Sequence, residues 1–148
     1  MKFHFWYAML SLFFIALAAF GYSWLAANGR LAAWVPLADF LLMALAIMRL
    51  VRLFTYDAIT AFVRNWFTDE EQESFLGTLG ALIRCPWCTG LWFAFIVVFF
   101  YFATPIAWYA ILVLALSSLA TALQLFANLI GWSAELKRRE AQAPTLPR

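Results

Sequence analysis

Long apolar runs separated by short polar segments set the pattern of this chain. A helix rises ~1.5 Å per residue, so about 20 consecutive apolar residues carry it across the hydrocarbon of a bilayer. Four runs reach that length, at about 5–27, 34–54, 86–104 and 105–132. The first holds no charge between Phe5 and Ala27 and ends in Asn28-Gly29-Arg30, a turn that stops a helix. The second carries Asp39 inside it and Arg49 and Arg52 towards its end. Pro86 and Pro105 open the third and fourth, where a missing N–H costs nothing. Thr104 is placed to cap the fourth, which makes these two a tight antiparallel hairpin. The first run is longer than the apolar stretch of a secretory signal and only Lys2 precedes it as a basic residue, so it is expected to be retained as a span.

Residues 55–85, between the second and third runs, are too many for a plain loop. Ile59, Phe62, Val63, Trp66 and Phe67 recur at helical intervals, while Thr60, Arg64, Asn65 and Thr68 take the opposite side, the pattern of a helix lying in a membrane surface. Thr68-Asp69-Glu70-Glu71 reads as a capping box opening a second short helix with an apolar face of Phe75, Leu76, Leu79, Leu82 and Ile83, weakened by Gly77 and Gly80. After Trp132 the composition turns polar, and residues 133–148 are expected to form a disordered tail.

Composition agrees with the pattern. Hydrophobic residues make up 66% of the 148 and charged ones 12%, against about a quarter charged in soluble domains. Lipid is therefore the first expected partner. A net charge of +2 is too small to argue for nucleic acid. With four spans, Lys2, Arg49, Arg52, Arg64, Arg84, Lys137, Arg138, Arg139 and Arg148 all fall on one side and Arg30 alone on the other. The side rich in positive charge is the cytoplasmic one. The expected fold is thus all-α: a polytopic membrane protein with four transmembrane helices, a cytoplasmic interfacial segment and both termini in the cytoplasm.

Cys85-Pro86-Trp87-Cys88 is the constellation with chemical potential. Three readings stay open. Beside Arg84 and at a helix start, a thiolate is favoured, as thiol exchange requires, but no thioredoxin-like pattern of strand and helix surrounds the pair. The pair also supplies two of the four ligands of a structural zinc, which two chains could complete between them; His4 alone would leave the shell unfilled. The third reading is packing of small sulfur side chains at a crowded junction held by Pro86 and Trp87. Asp39 within an apolar run is a functional candidate by default, with Tyr22, Ser23 or Tyr109 at similar depth to bond it. Arg49 and Arg52 can snorkel to the cytoplasmic interface. Ser117, Thr121, Gln124 and Asn128 share one face of the last helix, expected to look inward and join helices near the depth of Arg49. Ser/His/Asp sets, phosphate-binding glycine loops and paired carboxylates are missing from the sequence, which leaves hydrolase and nucleotide chemistry without support.

Two blocks of residues carry a resemblance. The first is Arg49-Leu50-Val51-Arg52-Leu53 leading into Tyr56-Asp57-Ala58-Ile59-Thr60-Ala61 and Arg64; the second is Leu79-Gly80, Arg84 and Cys85-Pro86-Trp87-Cys88-Thr89-Gly90-Leu91-Trp92. The chain resembles a family of small bacterial and phage membrane proteins, domain of unknown function 1360, which includes a sporulation-associated member. The likeness covers about 45–130, so the first run looks like an addition to the shared core. The resemblance implies a bacterial or phage envelope protein, here placed in the bacterial cytoplasmic membrane, and brings no activity, substrate or cofactor with it. The expected function is a non-enzymatic envelope protein whose cytoplasmic segment and Cys85–Trp92 junction bind a partner, another membrane protein or a second copy. The alternatives are a thiol or metal module using Cys85 and Cys88, and an oligomeric channel or transporter component built around Asp39 and the last-helix stripe.

Overall fold

The computed structural model describes residues 2–66 and 75–142. Six α-helices and a single 3-10 turn make up the described chain: α1 Lys2–Ala27, α2 Leu37–Thr55, the turn Ala58–Thr60, α3 Ala61–Trp66, α4 Phe75–Arg84, α5 Pro86–Ala103 and α6 Ile106–Gln142. No strand occurs among the described residues. The expected capping box at residues 68–71 and the side chains of Val63, Arg64 and Trp66 lie outside what is described.

Apolar side chains cover the outside. Phe13, Phe20, Phe40, Phe100 and Phe126 are all exposed, whereas the buried hydrophobic positions are few and mostly small or aliphatic: Leu10, Leu25, Met43, Ala46, Val97, Ile111 and Ala115. Soluble monomers do not present so much contiguous apolar surface, and lipid is the solvent that accepts it. Three helices, α1 from Phe5, α5 and α6, are long and apolar enough to cross a membrane. α2 has 19 residues of similar apolar character but carries Asp39, Arg49 and Arg52.

The helices alternate in direction. Phe14 meets Trp92 with ring centroids 4.9 Å apart and Trp24 meets Phe99 at 5.8 Å, so α1 and α5 run parallel. α2 runs against α5, with Asp39 at Tyr101 near one end and Phe54 at Phe93, 5.0 Å between rings, near the other. α6 starts where α2 starts and packs along it more extensively than along any other helix. Ala46, Ala115 and Ser118 are almost fully buried, and their small side chains let these two backbones approach.

Turn chemistry ends the helices as the sequence dictates. Gly29 takes φ +64, and the N–H groups of Gly29 and Arg30 bond back to Ala26 O and Leu25 O at 3.0 Å each, the Schellman closure of α1. Thr104 Oγ1 accepts from the Ile106 N–H at 3.3 Å and opens α6. At its far end α6 departs from expectation, since residues 133–142 are helical and not a disordered tail. Alanine, glutamate, lysine and arginine dominate this stretch, all strong helix formers, and Arg139 pairs with Glu135 one turn back at 3.0 Å.

Candidate functional site

Polar side chains gather at both ends of the bundle. At the end holding the α1–α2 and α5–α6 turns, Asp39 sits in the first turn of α2, where the helix dipole favours a carboxylate. Its Oδ2 accepts from the Tyr101 hydroxyl at 2.6 Å and its Oδ1 from the Trp108 Nε1–H at 3.2 Å. One carboxylate thus joins α2, α5 and α6. Arg30 donates to the Ala103 carbonyl, capping the last turn of α5 from the α1–α2 turn. The partners expected from depth alone are not those used. Tyr22 and Tyr109 point outward and Ser23 bonds its own helix at Ala19 O, because depth does not tell which face of a helix meets a neighbour.

At the opposite end, Arg49 Nη1 pairs with Asp57 Oδ2 at 3.2 Å, both side chains largely covered. The Tyr56 and Asp57 N–H groups bond to Arg52 O at 2.8 and 3.1 Å. Buried Thr60 donates its hydroxyl to Leu53 O, with Asp57 O a second acceptor at 3.3 Å. The chain leaving α2 is therefore folded back onto α2 by its own polar groups. Arg49 reaches toward the end of α2, where Asp57 lies just past the helix and takes its charge. Arg52 is half-buried, and its Nε has no hydrogen-bond partner among the described residues.

Cys85 closes α4 and opens α5. Its N–H bonds to Leu82 O at 3.1 Å, its Sγ accepts from the Cys88 N–H at 3.3 Å and its carbonyl from the Thr89 N–H at 3.0 Å. A sulfur here fills the place of an N-capping oxygen, with Pro86 in the first turn. Thr89, buried, donates its hydroxyl to Leu82 O at 2.8 Å and stitches the two helices together. At Gly90 α5 faces Val51 of α2 with room for a methyl, since a Cβ built there would lie 3.7 Å from the Val51 side chain, an ordinary contact. Trp92 packs on Phe13 and Phe14 of α1. Trp87 does not hold the junction as expected: it is 88% exposed and projects from the first turn of α5. Both thiols are free, and the hydrogen bond from the Cys88 side chain, with further N–H donors, draws the Cys85 thiol below the ordinary thiol range. Among the described residues no set of three or more His, Cys, Asp or Glu side chains forms a metal-binding group, so a zinc held here would find two sulfur ligands in each chain.

The last-helix stripe divides. Ser117 and Thr121 are partly covered, but Gln124 and Asn128 are exposed and bond each other at 3.2 Å, not Arg49. The inward face of α6 passes instead through Ile111, Ala115 and Ser118. Ser118 lies one place beside the stripe, an offset that counting polar residues does not detect. Asp39 and Asn128 sit at opposite ends of the bundle, about 30 Å apart at ~1.5 Å per residue from Trp108 to Asn128.

The bonded elements from α2 to α6 coincide with a shared segment: residues 42–127 match the family model of the protein of unknown function DUF1360. The chain belongs to the DUF1360 family. This DUF1360 protein is also 34% identical, over 96 residues, to the sporulation protein YjcA of Bacillus subtilis (strain 168), the alignment taking in 53% of this chain and 81% of the relative. No solved structure matches it. The family segment holds the Arg49–Asp57 pair, Thr60 and the whole Cys85–Trp92 junction, and leaves α1 outside. Sequence reasoning found Asp39, Arg49, Asp57 and the cysteines but missed Tyr101, Trp108 and Arg30 as partners; a hydroxyl and an indole N–H within two turns of the α5–α6 turn were the available signal. Thr89 stood within the quoted motif, and its hydrogen-bond role emerges only when α4 and α5 are seen to meet.

Proposed function

We propose that this DUF1360 protein is a non-enzymatic, four-span protein of the bacterial cytoplasmic membrane, with both termini cytoplasmic, that offers its cytoplasmic junction to a protein partner. The observation that carries the reading is a separation of roles at that junction. Arg49, Asp57, Thr60 and Thr89 spend their polar groups on fastening it to the bundle, while Tyr56, Ile59, Phe62 and Trp87 stand exposed. Polar groups turned inward and aromatic ones outward make a surface suited to amphipathic contact, at the membrane interface and to a partner.

α2 is the fourth span in this reading. Parallel α1 and α5 require the intervening chain to return, and the 19 residues of α2 reach about 28 Å at ~1.5 Å each. Two of its three charges are engaged, Asp39 by Tyr101 and Trp108 and Arg49 by Asp57, and the third, Arg52, stands in its last turn. Paired intramembrane charges cost less than lone ones. A photoreactive side chain placed at Phe62 or at Trp87 in cells tests the platform. A discrete protein adduct at either position is the expected result, and adducts to lipid alone at both would overturn the partner-binding part.

One observation favours a second reading. The Cys85 Sγ accepts from the Cys88 N–H at 3.3 Å and both thiols are free, so an exchanging disulfide of a thiol carrier could oxidise them: the two thiols lose two protons and two electrons, an intrachain S–S bond forms, and the carrier leaves as its dithiol. Mass spectrometry of the alkylated protein after such exchange reads this out, and two alkylated cysteines under oxidising and reducing conditions alike would remove it.

A further inference from the structure

From Ala122 onward every described residue of α6 is exposed: the helix leaves the bundle and runs on without covering from its own chain. Leu123, Leu125, Phe126, Leu129 and Ile130 surround this stretch with apolar side chains and Trp132, an interface residue by type, follows them. Such a surface belongs in lipid. Yet Gln124 and Asn128 lie within it, and their mutual hydrogen bond leaves the Asn128 amide N–H groups and the Gln124 carbonyl without a partner among the described residues. Hydrocarbon offers an amide nothing to bond.

The polar positions are not scattered. Steps of four and three residues lead from Ser117 through Thr121 and Gln124 to Asn128, and the same steps continue through Gly131 and Glu135 to Arg138. A repeat of 3.5 residues keeps one seam of a helix facing a partner helix along a left-handed crossing. Gly131 stands on that seam with open space around the position of a Cβ, which admits another backbone closely.

We propose that this face of α6 is the contact between two copies of the chain, paired in parallel through Gln124 and Asn128. A second copy is the occupant the chemistry selects. An amide is both donor and acceptor, so two-fold-related amides complete each other, and copies inserted in one direction bring Gln124 to Gln124 and Asn128 to Asn128 in register. Beyond Trp132 the same register brings Glu135 to Glu135, each already paired with Arg139 of its own helix, so the amides and not the charges select the partner. The inference rests on α6 spanning the membrane and on uniform insertion, and uses none of the residues of the partner-binding surface.

Single cysteines introduced at 124, 128 and 131, and off the seam at 125, 126 and 130, in a background with Cys85→Ser and Cys88→Ser, test it in membranes under mild oxidation. All six positions are exposed, so none of these changes removes a core side chain. Disulfide-linked dimers are expected at the seam positions at least fivefold over the others. Equal cross-linking at all six, or none at any, would overturn the pairing. In parallel, Gln124→Leu with Asn128→Leu keeps the helix apolar and is expected to lower the dimer fraction of the purified protein in nanodiscs at least tenfold. An unchanged dimer, or a wild-type protein that is monomeric and cross-links only to a chain of different mass, counts against it. Reporter fusions at the two ends, read in the same strains, separate a failure of uniform insertion from a failure of the seam.

Discussion

At the scale of single residues, the cysteine pair and the aspartate act through hydrogen bonds that cross helix boundaries. Donation from the Cys88 side chain holds the Cys85 thiol below its ordinary range, so Cys85 alkylates faster than a free thiol at the same pH and its rate profile is displaced to lower pH. Cys88→Ala removes that donor and is expected to move the profile of Cys85 upward, which iodoacetamide kinetics followed against pH will measure. Tyr101→Phe removes a 2.6 Å bond to Asp39 and leaves the phenyl packing in place. Its expected effect is a lowered unfolding temperature in detergent, smaller than that of Asp39→Leu, which strands both the tyrosine and the tryptophan. Asp39, Arg49 and the cysteines were legible because charge inside an apolar run and paired sulfur are local signals, whereas Asp57 stood out only within the quoted motif. Tyr101 and Trp108 were not, since they become partners only once α5 and α6 are known to face α2.

At the scale of elements, two contacts fix how helices join. Gly21 brings α1 against α5, and a Cβ there would meet Phe95 at 3.1 Å and Phe99 at 3.2 Å. Gly21→Leu is expected to push α1 away while sparing α2, α5 and α6. A disulfide between cysteines placed at Trp24 and Phe99 should then form at less than a tenth of its wild-type rate. The Arg49–Asp57 pair couples α2 to the chain that follows it. Removing either partner alone leaves a poorly solvated charge and is expected to cost ~1–3 kcal/mol, and removing both less than the sum, which a double-mutant cycle on thermal unfolding reports. Helices long enough to span were readable from apolar length. The continuation of α6 to Gln142 was not, because polar composition alone points to disorder although the residues are good helix formers.

At the scale of the whole molecule, an all-helical architecture followed from composition and periodicity alone, since charged residues at this density leave lipid as the only adequate solvent for the apolar surface. Which faces meet did not follow. Ser118 and Ala115 line the α2 contact while the adjacent stripe looks away, a rotation of a fraction of a turn that hydropathy does not encode. In the proposed four-span arrangement the turn at Asn28–Arg30 lies on the face opposite Lys2 and Gln142, the first and last described residues. A cysteine at Gly29 is therefore expected to react with an impermeant maleimide from outside the cell, and reporters at residues 1 and 148 to be active only inside.

The placement of the Asp39 partners has a bearing on biosynthesis. They lie 62 and 69 positions later in the chain, in helices that emerge from the ribosome after α2 has already reached the insertion machinery. A segment bearing a carboxylate and two guanidinium groups enters lipid reluctantly by itself, so α2, if it spans as proposed, is expected to insert fully only once the α5–α6 hairpin arrives to receive it. With α1 anchoring every such chain, a cysteine placed at Leu42 is expected to react with a water-soluble maleimide in nascent chains stalled before Pro86, and to be protected once the chain is long enough to expose Trp108.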